Sequence, residues 1–129
     1  MQENLAEILS KLADEEYCYL TTTGRVTGNP HVIEIWFGAR ERSIYLLSGG
    51  GRGSDWVRNL LKAPEVTVRI AKTTFSAAAR LVSEPEEELA ARYMLAEKYK
   101  EWEAEKVLSE WARTALVVGI DLISILLSA

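Results

Sequence analysis

The period of the apolar positions changes several times along the chain, and each change marks an element. Over residues 3–14, Leu5, Ile8, Leu9 and Leu12 recur on one helical face with acids and Lys11 opposite, which predicts an amphipathic helix. Residues 17–23, YCYLTTT, are aromatic and β-branched and predict a strand. GRVTGNP then supplies the turn residues Gly24, Gly28, Asn29 and Pro30. Residues 31–38, HVIEIWFG, predict a second strand, with Val32, Glu34 and Trp36 alternating against Ile33, Ile35 and Phe37. The turn ARERS leads to a third strand over residues 44–48. A glycine-rich loop follows, then a helix from about Ser54 to Lys62 that Ala63-Pro64 ends.

Strict alternation in EVTVRIA predicts a fourth strand over 65–71, and TFSAAARLVS a fifth over 74–83. Glu84-Pro85 opens a helix whose first turn holds Glu86, Glu87 and Glu88, where acids complement the dipole. Leu89, Tyr93, Ala96, Tyr99 and Trp102 recur at helical spacing. A last strand is expected from about Ala115 to Leu122, followed by an apolar tail. Short turns between consecutive strands favour antiparallel pairing. The expected fold is therefore mainly β with helices (α+β): a six-stranded antiparallel barrel with two or three helices packed on it. The expected organisation is one domain over residues 1–129: an N-terminal helix (1–15), the barrel with its loops (16–83), then a helix and last strand (84–129).

Composition narrows the function classes. At 129 residues, 48% hydrophobic and 26% charged, the chain has the balance of a soluble globular protein. Its net charge of -4 argues against a nucleic-acid binder, so an anionic ligand needs a local cationic site. The one cysteine, Cys18, has no partner in the chain, which fits a reducing, cytoplasmic compartment and a small buried hydrophobe. Gly119 and Asp121 interrupt the C-terminal apolar run, which is too short for stable membrane insertion. No metal-ligand spacing occurs, and a single histidine, His31, allows no multi-histidine site.

The most distinctive stretch is LLSGGGRGSDWVRNLL, with Gly49, Gly50, Gly51 and Gly53 around Arg52. It is neither a P-loop, since no Lys-Ser or Lys-Thr follows, nor a dinucleotide fingerprint, since position 54 is Ser. Its glycines could still let backbone N–H groups approach an anion, with Ser54 capping the next helix and Arg52 adding donors. Charge-assisted bonds of this kind contribute about 1.5–3 kcal/mol each. A plain strand-to-helix connection is the alternative. TTTGRVTGNPH offers a second polar loop with Arg25, Thr27, Gly28 and His31. Two such loops could grip one polyanionic ligand from two sides. Tyr93, Tyr99, Trp102 and Trp111 could form a substrate cage, but their helical spacing favours packing.

The combination TTTGRVTGNP, a strand ending WFG, YLLSGGG and WVRNLLKAPEVTVRI resembles the deazaflavin-dependent nitroreductase and quinone reductase family. That family belongs to the flavin-binding split-barrel superfamily, with pyridoxamine-phosphate oxidase. The resemblance covers roughly residues 15–83. It implies a split barrel of the FMN-binding type with a groove for the deazaflavin coenzyme F420, or for FMN in related branches. It implies that Arg25 and Thr27 hold the phosphate region, that Gly28 permits close approach, and that His31 stands where a basic residue is frequent. Strand residues Ile33, Glu34 and Trp36, with Leu47, Ser48, Gly49 and Gly50, would flank the ring. Arg52 would add charge, and Trp56 and Asn59 would close the pocket. Val26 stands where many members carry Lys or Arg.

The implied activity is hydride transfer to a quinone, nitro compound or enone, with no catalytic side chain assigned. Chemistry of that kind resides in the cofactor. The alternatives are an FMN-dependent reductase or oxidase, a non-catalytic flavin- or deazaflavin-binding module, and a scaffold that associates without cofactor. The expected partners are a small-molecule acceptor and a second copy of the chain.

Overall fold

The computed structural model describes residues 4–128. Helix α1 (Leu5–Leu12) starts at Asn4, whose side chain accepts a hydrogen bond from the Glu7 N–H, and it buries Leu5 and Leu9. Strands β1 (Cys18–Thr23), β2 (Pro30–Ile35), β3 (Gly38–Arg40) and β4 (Ser43–Ser48) follow. A single 3-10 turn over Gly51–Gly53 leads into α2 (Asp55–Lys62). Then come β5 (Glu65–Ile70), β6 (Thr73–Leu81), α3 (Pro85–Tyr99), a hairpin of β7 (Trp102–Ala104) and β8 (Val107–Leu108), α4 (Glu110–Thr114) and β9 (Leu116–Ser128).

Seven strands form one antiparallel sheet in the order β2-β1-β5-β6-β9-β4-β3. Six are expected from the sequence. The difference arises because the apolar run 31–38 is not one strand. β2 pairs with β1 and β3 pairs with β4, so the chain leaves one edge of the sheet and joins the opposite edge. Only Trp36 and Phe37 lie between. Three Cα steps span at most about 11 Å, so the two edges must lie close together. The sheet is curled into a half-barrel, and its split lies between β2 and the end of β4.

Alternation fixes which face is inside. Cys18, Leu20 and Thr22 of β1 are buried, and Ile33 and Ile35 of β2 pack on the same interior cluster. That cluster includes Phe37, Ile44, Leu46, Val57, Leu60, Val68, Phe75 and Ile120. α2 thus covers the barrel interior with Val57 and Leu60. Tyr45 and Leu47, on the other face of β4, meet Ala91 and Leu95 of α3 in a second cluster. β4 is buried on both faces, which is why SIYLLS reads as a continuous run.

Two further expectations change. The last strand extends to Ser128 where a tail is expected beyond Leu122. Its pairing with β6 shifts register twice, passing over Ile123 and Leu126, and both of these side chains are exposed. Such bulges break the alternation that marks a strand and add to the curl. Helix α3 ends at Tyr99, before Trp102, because Lys100 adopts a left-handed conformation (φ 58°). Its start is as expected: Pro85 opens it, and the Glu84 carboxylate caps it by accepting from the Glu86 and Glu87 N–H groups. Four α-helices are present among the described residues, none of them long and apolar enough to cross a membrane.

The polar residues that interrupt the C-terminal apolar run tie the layers together. Arg80 on β6 donates to Asp121 on β9 (Nε–Oδ2 2.7 Å) and to Glu87 on α3 (NH2–Oε2 2.6 Å). Tyr45 donates to Glu87 and Ser43 to Asp121, at 2.5 and 2.6 Å. Gly119 makes room: a Cβ there would lie 3.1 Å from the Arg80 Cζ. Hydrogen bonds from Arg80 and Tyr45 hold the Glu87 carboxyl down at about 2, from an ordinary 4.5. A folded-state pKa below the unfolded one means that this contribution is complete above about pH 4.5 and is lost as pH falls toward 2. The thermal midpoint should therefore drop over that window, and Glu87→Gln should flatten the drop while lowering the midpoint at pH 7. A pH series of thermal melts on both proteins checks this.

Candidate functional site

The candidate site is the split itself. β3 pairs only with Ser43–Tyr45, so among the described residues Leu46–Ser48 has no strand on that side, and β2 has none beyond β1. Each free edge offers backbone N–H and C=O groups to a ligand. The two edges converge at Trp36-Phe37 and diverge toward the 24–29 loop and the glycine loop.

At the narrow end, Phe37 is fully buried in the barrel, whereas Trp36 turns the other way. The Trp36 ring stacks on Tyr99 (centroids 4.2 Å, planes 6° apart) and meets Trp111 edge-on at 5.7 Å. The Tyr99 hydroxyl accepts from the Phe37 N–H (3.0 Å) and donates to the Glu16 carbonyl (2.7 Å). Burial pushes its pKa up to about 12, so it remains a donor at all ordinary pH. Lys98 donates to the Phe37 carbonyl (2.9 Å) and lies over the Phe37 ring at 3.7 Å; burial lowers its pKa. Beside this junction is a cleft of about 440 Å³ lined by Tyr17, Glu34, Ile35, Trp36, Leu47, Glu101 and Trp111. α4 presents Trp111: Ser109 caps the helix start, and Arg92 donates to the carbonyls of Ala112 and Ala115 at its end. A Cβ at Gly49 would lie 3.5 Å from Trp111, so the glycine loop begins at the cleft wall.

At the wide end is a recess of about 240 Å³ lined by Gly24, Arg25, Val26, Thr27, His31, Asp55 and Asn59. Arg25 donates to the Asn59 side chain (2.8 Å), to the Asp55 carboxylate (3.0 Å) and to the Asp55 carbonyl (3.4 Å). The Asn59 oxygen also accepts from the Arg25 backbone N–H, its amide donates to Thr22, and Lys62 donates to the Arg25 carbonyl. α2 therefore holds this loop from three successive turns. The His31 ring lies against Gly24, where a Cβ would come within 2.6 Å of Nε2. Gly28 has φ 78°, a conformation that favours glycine.

The two ends share walls. β2 spans Pro30–Ile35, about 16 Å at strand rise, and so carries His31 at the recess and leads to Trp36 at the cleft. The glycine loop runs from Gly49 at the cleft to α2 at the recess. A planar aromatic group at one end and an anionic group at the other fit this groove. Aromatic rings line the first, and a guanidinium with a histidine lines the second.

Of the residues singled out from sequence, Arg25, Thr27, His31 and Asn59 come together at the recess, and Glu34, Trp36 and Leu47 at the cleft. Gly28 and the exposed Thr27 shape the loop, where Thr27 Oγ1 accepts from the Asn29 N–H. Ile33 and Trp56 pack on the barrel core and line neither cavity. Ser48 is buried, with its hydroxyl on the Gly51 carbonyl and on Ser54. Ser54 precedes α2 but makes no side-chain cap, because its hydroxyl is turned to Ser48. Gly50 is needed there, since a Cβ would fall 2.5 Å from the Ser54 oxygen. Arg52 is exposed in the 3-10 turn, apart from both cavities.

Sequence reasoning missed Asp55, Tyr17 and Glu101 and read Trp111 as packing. Asp55 had a local signal, an acid at the first position of a helix beside a basic loop. Tyr17, Glu101 and Trp111 reach the cleft only through the edge-to-edge crossing, which has no local signature.

The family model described as F420H(2)-dependent quinone reductase matches residues 1–118 of the chain. No curated protein sequence matches it. Among solved structures, an F420-H2-dependent reductase is 17% identical, with TM-score 0.66 over 82% of this chain and 94% of its own. An F420 reductase is 14% identical, with TM-score 0.62 over 97% and 98%. The haem storage protein of Vibrio cholerae is 16% identical, with TM-score 0.73 over 98% and 96%. At such identities the likeness is one of fold, shared by proteins of different function.

Asn59 is the residue on which the recess depends. Asn59→Ala should destabilise the protein by about 2 kcal/mol, because a buried hydroxyl, a backbone N–H and a guanidinium lose their partner. Urea denaturation of the two proteins measures this, with the slope expected to be unchanged.

Proposed function

The chain belongs to the F420H(2)-dependent quinone reductase family, with coenzyme F420 as its cofactor, and on that premise we propose that it reduces a planar quinone, nitro or enone acceptor in the barrel split. The observation that carries this is the two-ended groove, aromatic at Trp36 and Trp111 and carrying the Arg25 guanidinium at the other end. When bound, the coenzyme supplies a hydride equivalent. The chain's own residues orient and shield. Trp36, held by Tyr99, and Trp111 form walls that exclude water from the ring end. Arg25 and His31 hold the phosphate end, the backbone of Ser48 to Gly50 lines the side between them, and Glu34 flanks the cleft. No side chain is assigned a proton-transfer role.

The description of the matched family names F420H(2), and nothing in the groove points to FMN in its place. A cytoplasmic homodimer remains the proposed working form; one related solved structure, 18% identical, is described as a domain-swapped dimer.

Titration of coenzyme F420 into the protein, followed by cofactor fluorescence, tests this reading. Micromolar or tighter binding is expected. Arg25→Ala should weaken it about 10- to 100-fold, the value of one or two charge-assisted hydrogen bonds. Absence of binding by the unaltered protein would refute the reductase reading.

A further inference from the structure

The ring-end cleft carries charge of one sign. Its seven lining residues include two carboxylates, Glu34 and Glu101, and no Lys, Arg or His. Four cations of the neighbouring elements are engaged with other groups. Lys98 is turned onto the Phe37 carbonyl and ring. Arg69 lies over the Tyr19 ring, its Cζ 4.2 Å from the centroid, and donates to the Ala71 carbonyl. Arg92 points into the end of α4, and Arg113 pairs with Glu103. Among the described residues neither carboxylate is in an ion pair: Glu34 accepts from the Tyr19 hydroxyl (3.2 Å), and Glu101 accepts from the Ser109 hydroxyl (3.0 Å). The same cleft is lined by the aromatic side chains of Tyr17, Trp36 and Trp111.

Two carboxylates and three aromatic rings lining one cleft form a receptor for a flat ring that is electron-poor or positively charged. We propose that this cleft selects electron acceptors by charge, taking neutral and cationic planar aromatics and turning away anionic ones. The inference rests on the reading of the barrel split as the place where the acceptor is reduced and adds the acceptor's charge class to it. The recess that holds Arg25, paired with Asp55, lies at the far end of the same groove.

The experiment is binding to the protein without coenzyme, read by quenching of tryptophan fluorescence. The probes are a cationic phenothiazinium dye, uncharged menadione and anthraquinone-2-sulfonate. The phenothiazinium should bind about ten-fold tighter than the sulfonate at low salt, with menadione between them. Glu34→Gln with Glu101→Gln keeps the shape and leaves an amide oxygen for Tyr19 and Ser109 to donate to. It should bring the two charged probes within about two-fold of each other. Glu41→Gln with Glu97→Gln changes the net charge equally on exposed residues that do not line the cleft and should leave the preference intact.

Tighter or equal binding of the sulfonate by the unaltered protein would overturn the proposal. So would the absence of quenching by all three probes. A preference that survives the Glu34 and Glu101 changes, or that the Glu41 and Glu97 changes abolish equally, would place its origin outside the cleft and would also overturn it. Because no coenzyme is present, failure of the reductase reading would show as loss of F420 binding with this preference retained.

Discussion

Everything in this fold depends on two residues crossing from one edge of a sheet to the other. Trp36 and Phe37 must bring β2 and β3 together although five strands separate them in the sheet order. Neither residue belongs to a strand, so their backbone groups need other partners. The end of α3 supplies them: Tyr99 takes the Phe37 N–H, and Lys98 takes the Phe37 carbonyl. The side chains then divide. Phe37 fills the barrel, and Trp36 is clamped outside it between Tyr99 and Trp111. The curl of the sheet, the position of α3 and the presence of a split all follow from this one crossing.

The site follows as well. A barrel pinned at one point of its seam must gape beyond it, because β2 and β4 leave the junction with different neighbours. The gap has an aromatic end, where the crossing sits, and a polar end, where each edge strand runs out into a loop. Both loops use glycine for close approach: Gly24 beneath His31, and Gly50 beneath Ser54. α2 ties the two ends together, since it follows the glycine loop and holds Arg25 through Asp55 and Asn59. The resulting groove suits a ligand with a flat ring and an anionic tail, as the deazaflavin coenzyme of this family has.

Much of this was legible in the sequence. The strands of strict alternation, the Glu84-Pro85 helix start and the two polar loops lie where their residues place them. Arg25, Thr27 and His31 stand together because one loop and the strand after it carry them, whereas Asn59 joins them only through the docking of α2. What local pattern could not give was whatever long-range pairing decides. HVIEIWFG reads as one strand because every residue in it suits a strand; only competition between β1 and β4 for its two halves splits it. Bulges at Ile123 and Leu126 hid the end of β9 by breaking its period. Tyr17, Glu101 and Trp111 meet in space but lie up to 94 positions apart, and none belongs to a motif. Asp55 shows the reverse case. It lies in the quoted motif region, yet its pairing with Arg25 comes from the docking of α2 on the loop.

The most direct measurement is an amide NMR titration of the isotope-labelled protein with coenzyme F420, including the indole N–H signals. Shifts should concentrate in residues 24–31, in Ile35 and Trp36, in Leu47 to Gly50, and in the indoles of Trp36 and Trp111, with both ends of the groove responding together. Shifts gathered instead on the outer sheet face around Thr21, Thr67, Ser76 and Ile123, with both indoles silent, would contradict the assignment of the split as the cofactor site.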